Sequence, residues 1–302
     1  MNIDIFIKKI KKNSLINFKK INDGVIYIMD DLSNNVVVHI KGHNSEYLQF
    51  KKLQKYSDII SHAYSLGLDK NYRTFKANRT PLSNKDYENN LNNYKNICKQ
   101  NGLNSNFIIK ANQAHTDKVY CINEYKTNNV IDTKDQLDGL ITNKKDIVLA
   151  TTNADCILLL FFDPVKKVIA NTHSGWKGTL QEISVETVKK MVNIYGCNPN
   201  DIIVCICPSI RKCHFEVGKD VKDMFYEQFK KLGNISDFII QTEGKWYIDT
   251  VFINKYLLKQ VGILEENIED SQICSVCNKE IIHSFRAEGE NYGLATAVIG
   301  LI

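Results

Sequence analysis

Short, mostly apolar runs alternate with longer stretches in which apolar residues recur every three or four positions. That rhythm is clearest in the middle of the chain. Ile147–Thr151, Ile157–Phe162, Val168–Thr172 and Ile202–Ile206 are runs of the first kind and predict buried strands. Thr179–Tyr195 places Ile183, Val188, Met191 and Val192 on one side and predicts a helix that Gly196 ends. Asp86–Gln100 has the same spacing through Tyr87, Leu91, Tyr94 and Ile97. Asp220–Lys231 and Val251–Val261 predict helices around a Trp246–Ile248 strand. Phe107–Ile109 predicts a strand entering Gln113–Ala114–His115, and Leu294–Ile302 a final buried strand. Nearer the start, Val25–Met29 and Val36–Ile40 read as strands joined by the turn-forming Asp30–Asn35. This order predicts an α/β fold, a single mixed domain of layered β-sheets covered by helices. No linker or repeat divides the chain. Residues 1–60 are expected as an N-terminal extension packing on a domain of residues 61–302.

Composition narrows the class. The 302 residues are 43% hydrophobic and 24% charged, ordinary for a globular protein able to bury a sizeable core. Net charge is +5, with lysines crowding the first hundred residues. Lys8, Lys11, Lys12, Lys19 and Lys20 offer either a nucleic-acid patch or a solvated helix face. No aromatic residues interleave the charge in a stacking pattern, so no nucleic-acid partner is expected. The longest apolar stretch, Ile157–Phe162, is far below the roughly 20 residues that span a bilayer. The start has no continuous apolar stretch of the secretory type. Nine cysteines without a framework rhythm fit reduced thiols in a cytoplasmic compartment.

Some of those thiols are candidate chemical tools. Reactive residues cluster at predicted strand ends in Gln113–Ala114–His115, Asn153–Ala154–Asp155–Cys156 and His173–Ser174–Gly175–Trp176–Lys177–Gly178. His115, Cys156 and His173 would make a zinc half-sphere with a fourth position for water or substrate, and the thiolate also suits copper. On residue chemistry alone the triplet reads first as buried structural residues, since spacing does not join the three. The His173–Gly178 segment reads as an anion-binding corner, with the following helix N-terminus and Lys177 supplying positive charge, or as an ordinary strand–turn–helix corner. Arg286, in Ser284–Phe285–Arg286, offers a fork for phosphate or carboxylate, or a surface salt bridge. Cys274–Cys277 has zinc-knuckle spacing but no second matching pair, which favours incidental thiols. Cys205 and Cys207 fit a core strand or turn. Cys213–His214 has ligand chemistry, yet Phe215–Gly218 beside it points to a packed turn.

Six segments in one order make a recognisable set: Gln113–Ala114–His115, Asp138–Thr142, Ala154–Asp155–Cys156, His173–Gly178, Pro208–Ile210 with Phe215–Gly218, and Ser284–Phe285–Arg286. Together they resemble the bacterial family long labelled multicopper polyphenol oxidase or laccase, now regarded as purine nucleoside phosphorylases with adenosine deaminase activity. The human laccase-domain-containing protein belongs to the same group. The resemblance runs from about Ser61 to Ile302 and is strongest from His115 onward.

The resemblance implies zinc on His115, Cys156 and His173, a fold related to certain cysteine hydrolases, and often a homodimer. It implies adenosine, inosine and methylthioadenosine as substrates, cleaved with phosphate to free base and ribose 1-phosphate, with adenosine deamination as a second activity. A metal there would lower the pKa of a bound water towards roughly 7 for deamination. Asp155 would shuttle a proton or orient a ligand. Lys177 and Arg286 are the candidates for the anion, and Gln113, Ser174, Gly175 and Trp176 for substrate binding. Lys177 stands where the family usually has Arg, and His62–Gly67 replaces a stretch that usually ends in Arg, leaving Arg73 or Arg79 as substitutes. The usual Gly-Arg near the end is Gly293–Leu294, and Cys207 replaces a Gly. A cysteine hydrolase with Cys156 as nucleophile and His173 as base is the main alternative. A copper phenol oxidase is disfavoured by the scarcity of histidine motifs, and a metal-binding protein without catalysis is the non-enzymatic reading.

Overall fold

Successive residues of a strand face opposite ways. In β11 (Ile157–Asp163) that sends Leu158, Leu160 and Phe162 into one apolar core and Ile157, Leu159 and Phe161 into another. A strand of this kind is stable only with both faces covered. Both are covered in the computed structural model, which describes residues 17–20, 26–29, 31–42, 44–76, 80–123, 129–231 and 234–302. β11 belongs to a six-stranded sheet in the order β17 (Ile268–Asp270), β13 (Ile203–Ile206), β11, β12 (Val168–Ser174), β9 (Gly139–Thr142), β7 (Val119–Cys121). A seven-stranded sheet stacks on it in the order β3 (Val37–Lys41), β4 (Glu46–Phe50), β5 (Ile60–Leu66), β18 (Ala295–Leu301), β10 (Val148–Asn153), β6 (Phe107–Asn112), β8 (Asn129–Gln136).

The core between the sheets joins Leu149, Ala297 and Ile299 of the larger sheet to Leu158, Leu160, Phe162 and Ile169 of the smaller. Burying each Leu or Phe side chain there contributes about 1.5–3 kcal/mol. The outer face of the larger sheet, through Val148, Ala150 and Val298, packs on Leu91, Tyr94 and Ile97 of the helix Asn84–Gln100. The outer face of the smaller sheet packs on Ile183, Val188 and Met191 of the helix Ile183–Tyr195 and on Val251 and Leu258 of the helix Thr250–Gln260. The result is four layers: helix, sheet, sheet, helices.

Two expected elements differ. The helix expected over Thr179–Tyr195 is two helices, Trp176–Leu180 and Ile183–Tyr195. Glu182, with φ of 59°, interrupts the ladder. Trp176 and Leu180 then pack on the cluster around Phe225 and Phe229, while Ile183 and Val188 pack on the six-stranded sheet. At the start, β2 (Ile26–Met29) pairs with β1 (Asn17–Lys20), and β3 pairs with β4. The Asn34 side chain accepts from the Val36 and Val37 N–H groups and so turns the chain into β3; Val25 and Asp30 lie outside the described residues. Residues 37–50 thereby extend the larger sheet through β5. Lys8, Lys11, Lys12 and Arg79 lie outside the described residues. Among the described residues, no helix is long and apolar enough to cross a membrane.

Among the described strands the chain passes from the larger sheet to the smaller three times, between β6 and β7, between β8 and β9 and between β10 and β11. Buried amides fix this region. Asn171 of β12 donates to the carbonyls of Leu149 and Ala297 across the inter-sheet gap. Asn153 donates to the carbonyls of Cys156 and Pro208 and accepts from the Tyr64 hydroxyl. Polar groups buried this deeply are costly unless paired, so these bonds specify one geometry for the crossings.

Candidate functional site

His115 lies on the β6–β7 crossing, Cys156 at the end of the β10–β11 crossing, and His173 near the end of β12. Their ligating atoms all lie within 4.8 Å of one another. His115 Nε2 is 3.8 Å from Cys156 Sγ, and the two imidazoles meet edge to face with centroids 4.9 Å apart. The backbone is bent to achieve this: His115 and Asp155 have φ of 60° and 82°, in the sparsely populated left-handed region. Gly175 is required by close approach, because a Cβ there would sit 2.7 Å from the His115 ring and 3.2 Å from Cys156 Sγ.

The organising residue is Asp138, fully buried just before β9. One carboxylate oxygen accepts from the His115 N–H at 3.0 Å and from His173 Nδ1 at 2.7 Å. The other accepts from the N–H groups of Ala114 and Thr116 and from the Thr116 hydroxyl. Burial works to raise its pKa, but the His173 hydrogen bond and charge and the Thr116 donors hold it down at about 2. Asp138 therefore fixes the loop carrying His115 and, by accepting a hydrogen bond from His173 Nδ1–H, leaves Nε2 as the atom of that ring that can ligate a metal. Burial also opposes charge on Cys156 and His173. Their mutual attraction prevails, lowering the thiol pKa and raising that of the imidazole, which Asp138 also supports.

Two imidazoles and one thiolate fit a borderline-soft divalent ion with one coordination position left over. That position faces a cavity of about 590 Å³, in the range that takes a nucleoside-sized ligand. Five aromatic side chains contribute to its wall: Phe75, Trp176, Phe215, Phe285 and Tyr292. Phe285 and Tyr292 pack edge to face at 5.1 Å. Arg73, Lys76, Lys110 and Arg286 bring positive charge to the same wall.

The remaining expected site residues occupy varied positions. Arg286 lines the cavity, with its guanidinium donating to the carbonyls of His214 and Glu216. Asp155 lines it too, but its two oxygens accept from the Ser275 hydroxyl at 2.6 Å and the Arg286 N–H at 2.7 Å. Gln113 also contributes to the wall, and its carboxamide pairs with the Thr152 backbone and hydroxyl. The Ser174 hydroxyl is buried against Thr179 and Asn254. Lys177 is not among the cavity-lining residues; it is exposed, with its ammonium 5.4 Å from the Trp176 ring centroid. Trp176 fills the helix position that faces the cavity, and its neighbour faces solvent. Arg73 stacks on Tyr292 at 4.2 Å and donates to its carbonyl.

Sequence comparison matches residues 69–302 to the family described as Multi-copper polyphenol oxidoreductase laccase. The chain belongs to this family. Among relatives, it is 30% identical over 213 residues to Purine nucleoside phosphorylase LACC1 of Mus musculus, covering 69% of this chain and 47% of that protein. It is 32% identical over 166 residues to Purine nucleoside phosphorylase YlmD of Bacillus subtilis, 54% of this chain and 58% of that one. It is 30% identical over 204 residues to Adenosine deaminase RL5 of an unknown prokaryotic organism, 65% of this chain and 76% of that one. The chain thus spans about half the length of its mammalian relative. In fold it is similar to the crystal structure of Bacillus licheniformis hypothetical protein YfiH, with a TM-score of 0.72 and 23% identity over 87% of this chain and 99% of that one.

Asp138 stands in the sequence as the first residue of the Asp138–Thr142 motif, with nothing there to mark it as functional beyond a lone carboxylate directly before an apolar strand, where burial demands partners. In the sequence Cys213–His214 reads as a packed turn and Cys274–Cys277 as incidental thiols. The fold brings these four together, with ligating atoms within 4.8 Å of one another. Each half is incomplete alone, and only the adjacency of β13 and β17 joins them.

Proposed function

We propose that this chain cleaves purine nucleosides with phosphate, releasing the free base and ribose 1-phosphate, and deaminates adenosine in the same pocket. Adenosine, inosine and methylthioadenosine are the expected substrates, and zinc, with copper as the competing ion, is the metal on His115, Cys156 and His173. The observation that carries this reading is the open three-donor set at the base of an aromatic-walled cavity. The names of relatives at about 30% identity support the same chemistry.

A bound divalent metal would act as a Lewis acid and lower the pKa of water at its open position. The chain's own residues do the rest. Phe285 and Tyr292 offer a purine two aromatic surfaces. Phosphorolysis breaks the bond between C1′ and the base nitrogen while a phosphate oxygen bonds to C1′, so an anion must be held near the sugar. Arg286 spends guanidinium donors on two carbonyls and keeps others for phosphate, and Arg73 supplies a second guanidinium on the same wall. Lys177, exposed beside Trp176, contributes charge at longer range. Asp155 acts chiefly by position: with both oxygens already accepting, it holds the Arg286 backbone in place.

A second reading has its own observation. Cys156, His173 and Asp138 form a thiol–imidazole–carboxylate series, the arrangement of a cysteine nucleophile with an oriented base. Metal analysis and base-release assays with and without phosphate, on wild type and Cys156→Ala, separate the two. We expect phosphate-dependent release of adenine and hypoxanthine, lost together with the metal in Cys156→Ala. Activity that survives chelators but dies on thiol alkylation would establish the cysteine nucleophile instead.

A further inference from the structure

Residues 211–216, which follow β13, and 273–279, which follow β17, meet at the edge of the six-stranded sheet. The Arg211–Asp270 ion pair, partly shielded from solvent, ties them. Backbone bonds from Ser209 N–H to the Ile273 carbonyl and from Ser275 N–H to the Ser209 carbonyl continue the contact. Asn278 closes the second loop by donating its N–H and its carboxamide to the Cys274 carbonyl, which turns Cys274 and Cys277 to one side. Opposite them stand Cys213 and His214.

We propose that Cys213, His214, Cys274 and Cys277 form a second metal site, a closed Cys₃His site for zinc. With Zn–S near 2.3 Å and Zn–N near 2.0–2.1 Å, a tetrahedron has S···S edges of about 3.8 Å and S···N edges of about 3.5 Å. Cys213 Sγ lies 3.6 Å from Cys274 Sγ and 3.9 Å from Cys277 Sγ. His214 Nδ1 lies 3.2 Å from Cys213 Sγ, 3.7 Å from Cys274 Sγ and 3.5 Å from Cys277 Sγ. Five edges therefore match, and the sixth is bounded by the 4.8 Å within which all four atoms fall. These sulfur separations are far beyond the roughly 2.05 Å of a disulfide. Four protein donors leave no position for substrate, which is the composition of a structural site. Exposed Cys213 and Cys277 give the ion its way in.

The location gives the site a purpose. Ser275, between the two cysteines of the second loop, donates to Asp155, the residue before Cys156. The carbonyl of His214 receives the Arg286 guanidinium. An ion here fastens both loops and, through them, two polar residues of the cavity wall. It would act on the catalytic pocket as a positioning element.

The test uses the full chain. Protein loaded with excess zinc and desalted should hold two zinc ions. Cys277→Ser should hold one, and Cys156→Ala should hold one, so failure of either site is read independently of the other. In unsubstituted protein, zinc should slow alkylation of Cys213 and Cys277, located by peptide mass, at least tenfold over chelated protein. That readout requires no variant to fold. A single zinc in wild type that Cys156→Ala abolishes, alkylation rates at Cys213 and Cys277 indifferent to zinc, or a Cys213–Cys274 disulfide in freshly purified protein would each overturn the proposal.

Discussion

The donors of His115, Cys156 and His173 come from three separate segments and face a cavity, whereas those of Cys213, His214, Cys274 and Cys277 come from two short loops and surround a point. The three-donor set is held by a buried carboxylate that accepts five hydrogen bonds, so its geometry is built before any ion arrives. The four-donor set is held by loop backbone and one ion pair, and its sulfurs lie partly in solvent. Rigid support with an open position suits turnover; full coordination at a loop junction suits fastening. Because Asp155 touches both neighbourhoods, the two differ in role while sharing a wall.

The sharpest way to separate them is to remove one thiol from each. Cys156→Ala should lower kcat/KM for nucleoside cleavage by roughly 1,000-fold or more, on the order of 4 kcal/mol of transition-state stabilisation. Cys277→Ser should cost no more than about tenfold in steady-state assays. Equal losses would erase the distinction between a site for chemistry and a site for support.

Asp138→Asn tests whether the open site is preorganised. An asparagine cannot satisfy the donors that surround this position. If its oxygen faces His173, its amide hydrogens meet the N–H groups of Ala114 and Thr116; if it is flipped, they meet His173 Nδ1 and drive the other tautomer. Metal affinity at the open site, measured by competition with a chromophoric chelator, should fall by roughly 10- to 100-fold. The site of three cysteines and one histidine should keep its affinity. An unchanged open site would mean that the ion, and not Asp138, organises the donors.

Chelation addresses the closed site. Stripping both ions from wild type should lower the melting temperature by more than stripping Cys277→Ser does, by roughly 2–3 °C if the closed site contributes about 1–2 kcal/mol. Identical shifts would show that the loop junction gains nothing from metal.

How much of this was legible in the sequence follows from the range of the interactions. β11, β12 and β18 could be read because both faces of each strand are buried and the apolar run announces it. The open triplet could be nominated because each ligand stands at a strand end in a distinctive local segment. The break at Glu182 could not be read, since it depends on Trp176 and Leu180 finding a different cluster from Ile183. Nor could the second cluster, whose halves lie some sixty residues apart and become neighbours only through the parallel pairing of β13 with β17. Asp138 was hidden for a related reason: its five partners come from two other strand ends, and a carboxylate's value depends on who surrounds it.

The smallest expected effect concerns the cavity wall, where the open site would meet the proposed nucleoside. Phe285 is 54% exposed, unusual for a large aromatic, and is held edge to face by Tyr292. An exposed ring beside an open metal position is a surface on which a purine can stack, at a contribution of about 0.5–1.5 kcal/mol for an aromatic pair. Phe285→Ala should therefore raise KM for adenosine by roughly 2- to 12-fold, with kcat little changed and both metal sites full. Phe285→Tyr should restore most of the loss, which a purely structural role for the ring would not require. If KM stays fixed while kcat falls, the ring acts through its neighbour Arg286 and the purine stacks elsewhere on the wall, with Trp176 the next surface to test.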